Sequence, residues 1–240
     1  MGFHFKKRES VTRSARRVCR ERLDHALERL GQGAGADGVH ETRRAIKKLR
    51  AVLRLVRAGI GKTAYDEAAN ALRASAHRLN AMRDAQVRLS ALEDVAKRAN
   101  GAIAPQLLRK LKDALLKNRQ MEEQKFGKSA DAAKRFLFEA RGQLASLKVA
   151  PNQWKAVGAG LKKIYRRGRK AWAIAKCQPS PQHFHEWRRR VKDLSNQLRL
   201  LRRARPRKVK ARMQELDRLA DILGDDHDLF MLGQFAGKNI

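Results

Sequence analysis

Two stretches of the chain place the same reactive side chains at the same spacing. VHETRRAIKKLRAVLRLVR runs from Val39 to Arg57, and FHEWRRRVKDLSNQLRLLR runs from Phe184 to Arg202, 145 positions later. Each opens on a histidine and a glutamate, His40–Glu41 and His185–Glu186, and each then repeats its cations in order. Arg43 matches Arg188, Arg44 matches Arg189, Lys47 matches Lys192, and Arg54 matches Arg199. Groups of this kind hold anions. A guanidinium offers a planar fork to a carboxylate or phosphate, and an ammonium offers a point charge.

Such residues must be positioned by helices. At about 100° per residue from His40, Arg43, Lys47, Arg50, Arg54 and Arg57 fall between about 260° and 340°, with Arg44 near 40°. Ile46, Leu49, Leu53 and Val56 fall between about 160° and 240°, so a core face lies beside a basic face. The second copy divides in the same way, with His185, Arg188, Arg189, Lys192 and Arg199 on one side and Val191, Leu194, Leu198 and Leu201 on the other. Two more helical patterns carry a basic arc: Arg13, Arg16, Arg17 and Arg20 in one, Lys155, Lys162, Arg166 and Arg169 in the other. These are four stripes, two per half. If the halves pair face to face, the stripes converge on a shared groove. Merely solvated helix faces mix Glu with Lys for i,i+4 pairing, whereas these arcs hold almost no acid. His40 and His185 sit on the basic faces, where an imidazole donates to a phosphate. No second His or Cys lies at i+3 or i+4 to make a metal pair with either.

GDDHDL at 224–229 gathers Asp225, Asp226, His227 and Asp228, which could bind a divalent ion. The matching place in the first half, NAMRDAQ, keeps only Asp84. That difference favours Asp84 and Asp228 as helix caps, or as acids that orient basic side chains across the groove.

The rest of the chain is consistent with these elements. In 240 residues, 56 Lys plus Arg stand against 24 Asp plus Glu, a formal charge of +32, while 42% hydrophobic residues supply a core. The charge calls for a polyanion: nucleic acid, an anionic membrane or a phosphate polymer. Cys19 and Cys177 belong to no CxxC or metal-spaced cluster, and with no apolar run of membrane-spanning length the expectation is a soluble cytoplasmic protein in a reducing compartment. Alternating β-branched runs are nearly absent, which predicts an all-α fold. Helices are expected at about 10–30, 39–58, 63–81, 83–99, 105–125, 129–147, 152–176, 181–204, 207–222 and 225–236, with loops at GQGAGADG, NGAIAP and KVAPNQ and boundaries at Pro179, Pro181 and Pro206.

The pattern VHxxRxxxKxLR, followed by LxxxRDxxV and repeated as HxxRxxxKxL and LGxxHDL, resembles the CHAD family of conserved-histidine α-helical domains. In the first half the resemblance runs through His40, Arg43, Lys47, Leu49, Arg50, Arg83 and Asp84. In the second it runs through His185, Arg188, Lys192, Leu194, Gly224, His227 and Asp228, and IYRRGRKA (164–171) is similar to the helix that opens that family's second half. Asn80, Gln86, Ser195 and Asn196 depart from the family's pattern. The resemblance implies one domain over 1–240, built of two pseudo-symmetric helical bundles, about 1–127 and 128–240, around a basic central groove or pore. It also implies inorganic polyphosphate as the partner and association with polyphosphate granules. Arg13, Arg16, Arg20, His40, Arg43, Arg44, Lys47, Arg50 and Arg54 would bind it from the first half, and Lys162, Arg166, Arg169, His185, Arg188, Arg189, Lys192 and Arg199 from the second.

No ExExK strand motif, Gly-Lys-Ser/Thr phosphate loop or carboxylate pair in an apolar pocket is present. The expectation is a binding module with no catalysis, no cofactor and no metal. An RNA- or DNA-binding protein is the alternative, with nucleic acid otherwise a weaker competitor, because stacking aromatics are scarce beside the stripes. A metal-dependent phosphohydrolase would rest on DDHD alone.

Overall fold

Apolar residues three and four apart recur along most of the chain, and the computed structural model, which describes residues 2–31, 36–150, 152–203 and 206–239, turns them into helices. Every regular element among these residues is helical: α1 (Val11–Gly31), α2 (Ala36–Val56), a 3-10 turn (Arg57–Gly59), α3 (Lys62–Arg78), α4 (Asn80–Ala99), α5 (Pro105–Ala145), α6 (Gln153–Cys177), α7 (Pro181–Leu201) and α8 (Pro206–Asn239). The all-α expectation holds. Parts of the expected GQGAGADG and KVAPNQ loops, and of the turn before Pro206, lie outside the described residues.

The repeated stretches become α2 and α7, both 21 residues long, with ends displaced by the same 145 positions as the sequence match. Ser180 caps α7, its hydroxyl accepting from the His183 amide at 3.2 Å, and Pro181 fills the first turn, where a missing N–H costs nothing. α2 packs against α1, α3, α4, α6 and α7. Ala51, Val52 and Leu55 are therefore buried along with Ile46, Leu49 and Leu53, and α2 keeps only a narrow polar strip. α6 crosses α2 closely at Gly160, where a Cβ would collide with the Leu55 carbonyl, so glycine is required there.

Two expected breaks do not occur. The segments read as 105–125 and 129–147 form one 41-residue helix, and those read as 207–222 and 225–236 form one of 34. A helix-interior glycine costs only about 1 kcal/mol relative to alanine, which long flanking helices absorb. Gly127 faces open space, whereas Gly224 faces the Arg188 side chain. α3 and α4 are separated by the single residue Leu79, whose ψ of 2° interrupts the helix. The left-handed Asn100 and Gly101, with φ of 43° and 89°, then turn the chain out of α4.

The main core joins α1, α2 and α3 to the C-terminal half of α5, the start of α6 and the end of α7. Residue 127, the expected join between halves, falls inside α5, and Ala130, Ala133 and Leu137 beyond it pack into this same core. Smaller clusters tie α4 and the N-terminal half of α5 to Leu232 of α8, and α7 to Ala220 and Leu223 of α8.

Candidate functional site

The polar strip of α2 opens on a cleft of about 400 Å³ between α2, α4, α7 and α8. From α2 it is lined by His40, Arg43, Arg44, Lys47 and Lys48, from α4 by Arg83, and from α7 by Lys192 and Arg199. Asp217 and Asp221 of α8 are the acids among the described lining residues, against seven Lys or Arg. Arg199 donates to Asp217 at 2.6 Å, as does Ser195 at 2.7 Å, so one acid is largely engaged by its neighbours.

The charges press on one another. Burial in the cleft walls, then the charges of Lys192, Arg43, Arg83 and Arg188, push the Lys47 ammonium down to about 7. The residue nonetheless meets water, so the shift arises in a wetted cleft, where like-charge crowding adds to burial, and not in a sealed core. Burial and then Arg188 lower Lys192. Lys48 is lowered to about 8, by burial and then by Arg44 and Arg22. Lys47, Lys192, Arg43, Arg83 and Arg188 thus form one electrostatic cluster supplied by three helices and by both copies of the repeat.

The two arginines at the heart of the cluster are anchored in related ways. Arg43 donates through Nη1 to the Ala76 carbonyl at 2.9 Å and to the side-chain oxygen of Asn80. Arg188, its counterpart, lies against Gly224, the position matching Asn80, with Nη2 3.2 Å from where a Cβ would stand. Asp84 supports the charge on Arg43 and Asp228 that on Arg188, each opposing the lowering that burial causes. The expected role of these acids in orienting cations fits. Neither is a helix cap, since both lie inside their helices. The Nε of Arg43 and the Nε of Arg188 are both buried without a hydrogen-bond partner among the described residues.

The other residues picked out in the sequence lie elsewhere. Arg50 and Arg54 occupy the seam of α2 with α3 and α7, where Arg54 pairs with Asp193 and burial, then Arg54, lower Arg50 to about 10. Arg189 pairs with Glu186 at 3.0 Å. His185 meets His227, ring centroids 4.1 Å apart and Nδ1 to Nδ1 3.2 Å. Burial and then His227 push His185 down to about 4. Arg13, Arg16 and Arg20 line a separate groove of about 480 Å³ with Arg141 of α5, where Arg16 Nε donates to the Leu147 carbonyl at 2.7 Å. Lys162, Arg166 and Arg169 are exposed on α6. The four stripes therefore do not all converge: α2 and α7 meet at the cleft, and those of α1 and α6 face outward.

Arg83 and Lys48 join the cleft without having been singled out as ligands. Arg83 carried a signal, the Arg-Asp step it shares with Asp84. Lys48 lies off the stripe near 80° from His40 at about 100° per residue, and only the curvature of the cleft wall brings it in. Around DDHD, Asp225 accepts from Arg98 at 3.2 Å, and among the described residues no three His, Cys, Asp or Glu side chains are grouped to hold a metal ion.

The all-helical chain, with residues of α2 and α7 lining one basic cleft, is matched by the CHAD domain family model over residues 13–237. The chain belongs to the CHAD domain family. Comparison with curated proteins and with solved structures finds no match to the chain. No helix among the described residues is long and apolar enough to cross a membrane.

Proposed function

We propose that the protein binds inorganic polyphosphate in the cleft between α2, α4, α7 and α8, with α2 and α7 as the pseudo-symmetric halves of one basic groove. The supporting observation is the cluster of Arg43, Lys47, Arg83, Arg188 and Lys192, which holds cations close enough to depress one another and is short of internal acid. A linear polymer with one negative charge on each repeating unit relieves that crowding along its length. The unpartnered Nε donors of Arg43 and Arg188 are suited to phosphate oxygens from the two sides. His40 at the rim adds a further donor. The reading involves no bond making or breaking. It places the protein in the cytoplasm on polyphosphate granules, as membership of the family suggests.

The test is competition for long-chain polyphosphate at several salt concentrations. By analogy with single-stranded nucleic acid, a slope of about −0.7 per neutralised phosphate gives roughly −4 to −7 for six to ten contacts. Duplex DNA should compete poorly, because packed helices lie only about 8–10 Å apart and leave a cleft too narrow for it. Equal affinity for duplex DNA, or binding that ignores salt, would refute this assignment.

A further inference from the structure

The α6 stripe, which turns away from the cleft, carries a second set of side chains. α6 contains eight Lys or Arg and no Asp or Glu. None of the eight forms an ion pair with a described residue. Its inner edge is Ala156, Val157, Gly160, Ile164, Ala171 and Ala175. Along the outer edge stand Trp154, Tyr165 and Trp172, 54%, 52% and 39% exposed. At about 100° per residue these three rings share one line on the helix to within about 20°, and they span roughly 27 Å at 1.5 Å per residue. Lys155, Lys162 and Arg169 run beside them. Arg169 and Lys176 both lie over the Trp172 ring, their charged groups 5.6 Å from its centre.

Beside Trp172 the surface dips into an apolar hollow of about 360 Å³ walled by Trp187, Leu194, Leu216 and Leu219, with Arg190 at its edge. The protein's three tryptophans, Trp154, Trp172 and Trp187, are thus all on this side of the molecule. Aromatics are rare in the chain, and of the exposed ones among the described residues three lie on this basic helix, the other being Phe138 of α5.

We infer that the outer face of α6 is a second polyanion site, built for single-stranded nucleic acid. The recurring design for sequence-tolerant single-strand binding is a line of cations that follows the backbone and exposed rings on which bases stack. α6 offers both on one edge, with guanidinium and ammonium groups already stacked on the ring that a base would share. Polyphosphate has charge but no flat face, so these rings give it nothing. An anionic membrane would favour a convex apolar face buried several ångströms deep. Here the rings stand singly between cations beside a hollow. An acidic peptide would need to mate with eight cations, and the spaced rings offer it only isolated anchors.

Because no tryptophan lines the cleft, intrinsic tryptophan fluorescence reports on the α6 side alone. Titration with a short oligoadenylate should quench it saturably, whereas polyphosphate should cause little quenching. Trp172→Ala should weaken oligoadenylate binding by about tenfold, the order expected for loss of one stacked base. Trp172→Phe should restore most of the binding, and Trp172→Ala should leave polyphosphate binding unchanged. Trp154→Ala, at a half-exposed side chain outside the hollow, repeats the test and should also weaken the complex. Absence of quenching, unaltered oligoadenylate affinity in both alanine variants, or a blue shift with anionic lipid vesicles in place of quenching by oligoadenylate would each overturn the inference.

Discussion

Lys192 is the charge that presses hardest on Lys47. The two occupy the same position in the two copies of the repeat, one on α7 and one on α2, and they share a cleft. Asp221 and Asp228 offset only part of the charge on Lys192, and under the proposed function an entering polyanion would relieve what remains.

Proton linkage follows from the Lys47 ammonium standing at about 7 against a usual 10.5. A lysine lowered in the folded state is protonated more fully when unfolded, so the unliganded protein should gain stability as pH rises from about 7 toward about 10.5. A bound polyanion restores the charge, so binding at pH 8 should take up roughly one proton per protein. Calorimetry in two buffers of different ionisation enthalpy measures that uptake directly. Lys47→Met should abolish most of it while raising the melting temperature of the free protein by about 2–4 °C for each 1 kcal/mol of repulsion removed.

His185 and His227 add a second pH window. With His185 lowered to about 4 from 6.5, the unfolded chain binds the proton more readily, and stability should fall as pH drops through that interval. Nδ1 to Nδ1 contact at 3.2 Å requires one ring to donate and the other to accept, which two protonated rings cannot do. His227→Asn should weaken but not abolish the fall in melting temperature between about pH 6.5 and 4, because burial, the larger cause of the shift, remains.

Gly224 should separate stability from binding. An alanine there is a better helix former by up to about 1 kcal/mol, yet its Cβ would stand 3.2 Å from the Arg188 guanidinium and push it aside. Gly224→Ala is expected to hold or raise the melting temperature while weakening polyphosphate binding about three- to tenfold, a partial loss of one charge-assisted contact. Parallel thermal melts and titrations compare the two effects in one variant.

Asp193 joins α7 to α2 by accepting from Arg54, and Arg190 is 3.5 Å away. All three side chains are mostly buried, and Asp193→Ala strips Arg54 of its acid while Arg190 keeps Glu186. Removing one partner of such a pair typically costs about 3–5 kcal/mol. Urea unfolding should show a loss near the lower end of that range, because some water reaches the pair. Arg54→Leu combined with Asp193→Ala should recover part of it.

The helical class and the repeat were legible because both are periodic: the register that places His40, Arg43 and Lys47 on one strip of α2 also places His185, Arg188 and Lys192 on α7. Helix ends were less so. Gly127 and Gly224 look like punctuation in sequence, yet tertiary packing carries α5 and α8 straight through them. The facing of the α1 and α6 stripes was not legible, since a basic arc looks the same whether it lines a cleft or meets solvent. Arg16 turned out to be engaged with a backbone carbonyl 131 positions away, a partner that local pattern does not reveal. Arg83 entered the cleft from α4, a helix with no stripe at all.

The central claim is that both copies of the repeat hold one polymer. Isothermal titration of long-chain polyphosphate into Arg43→Ala/Lys47→Ala and into Arg188→Ala/Lys192→Ala, with circular dichroism confirming helicity, tests it most directly. Charge-assisted contacts contribute about 1.5–3 kcal/mol each, so each pair should cost about 3 kcal/mol or more, upward of roughly a hundredfold in affinity. If either pair binds long chains as tightly as the parent protein, the groove belongs to one half and the shared-cleft account is wrong.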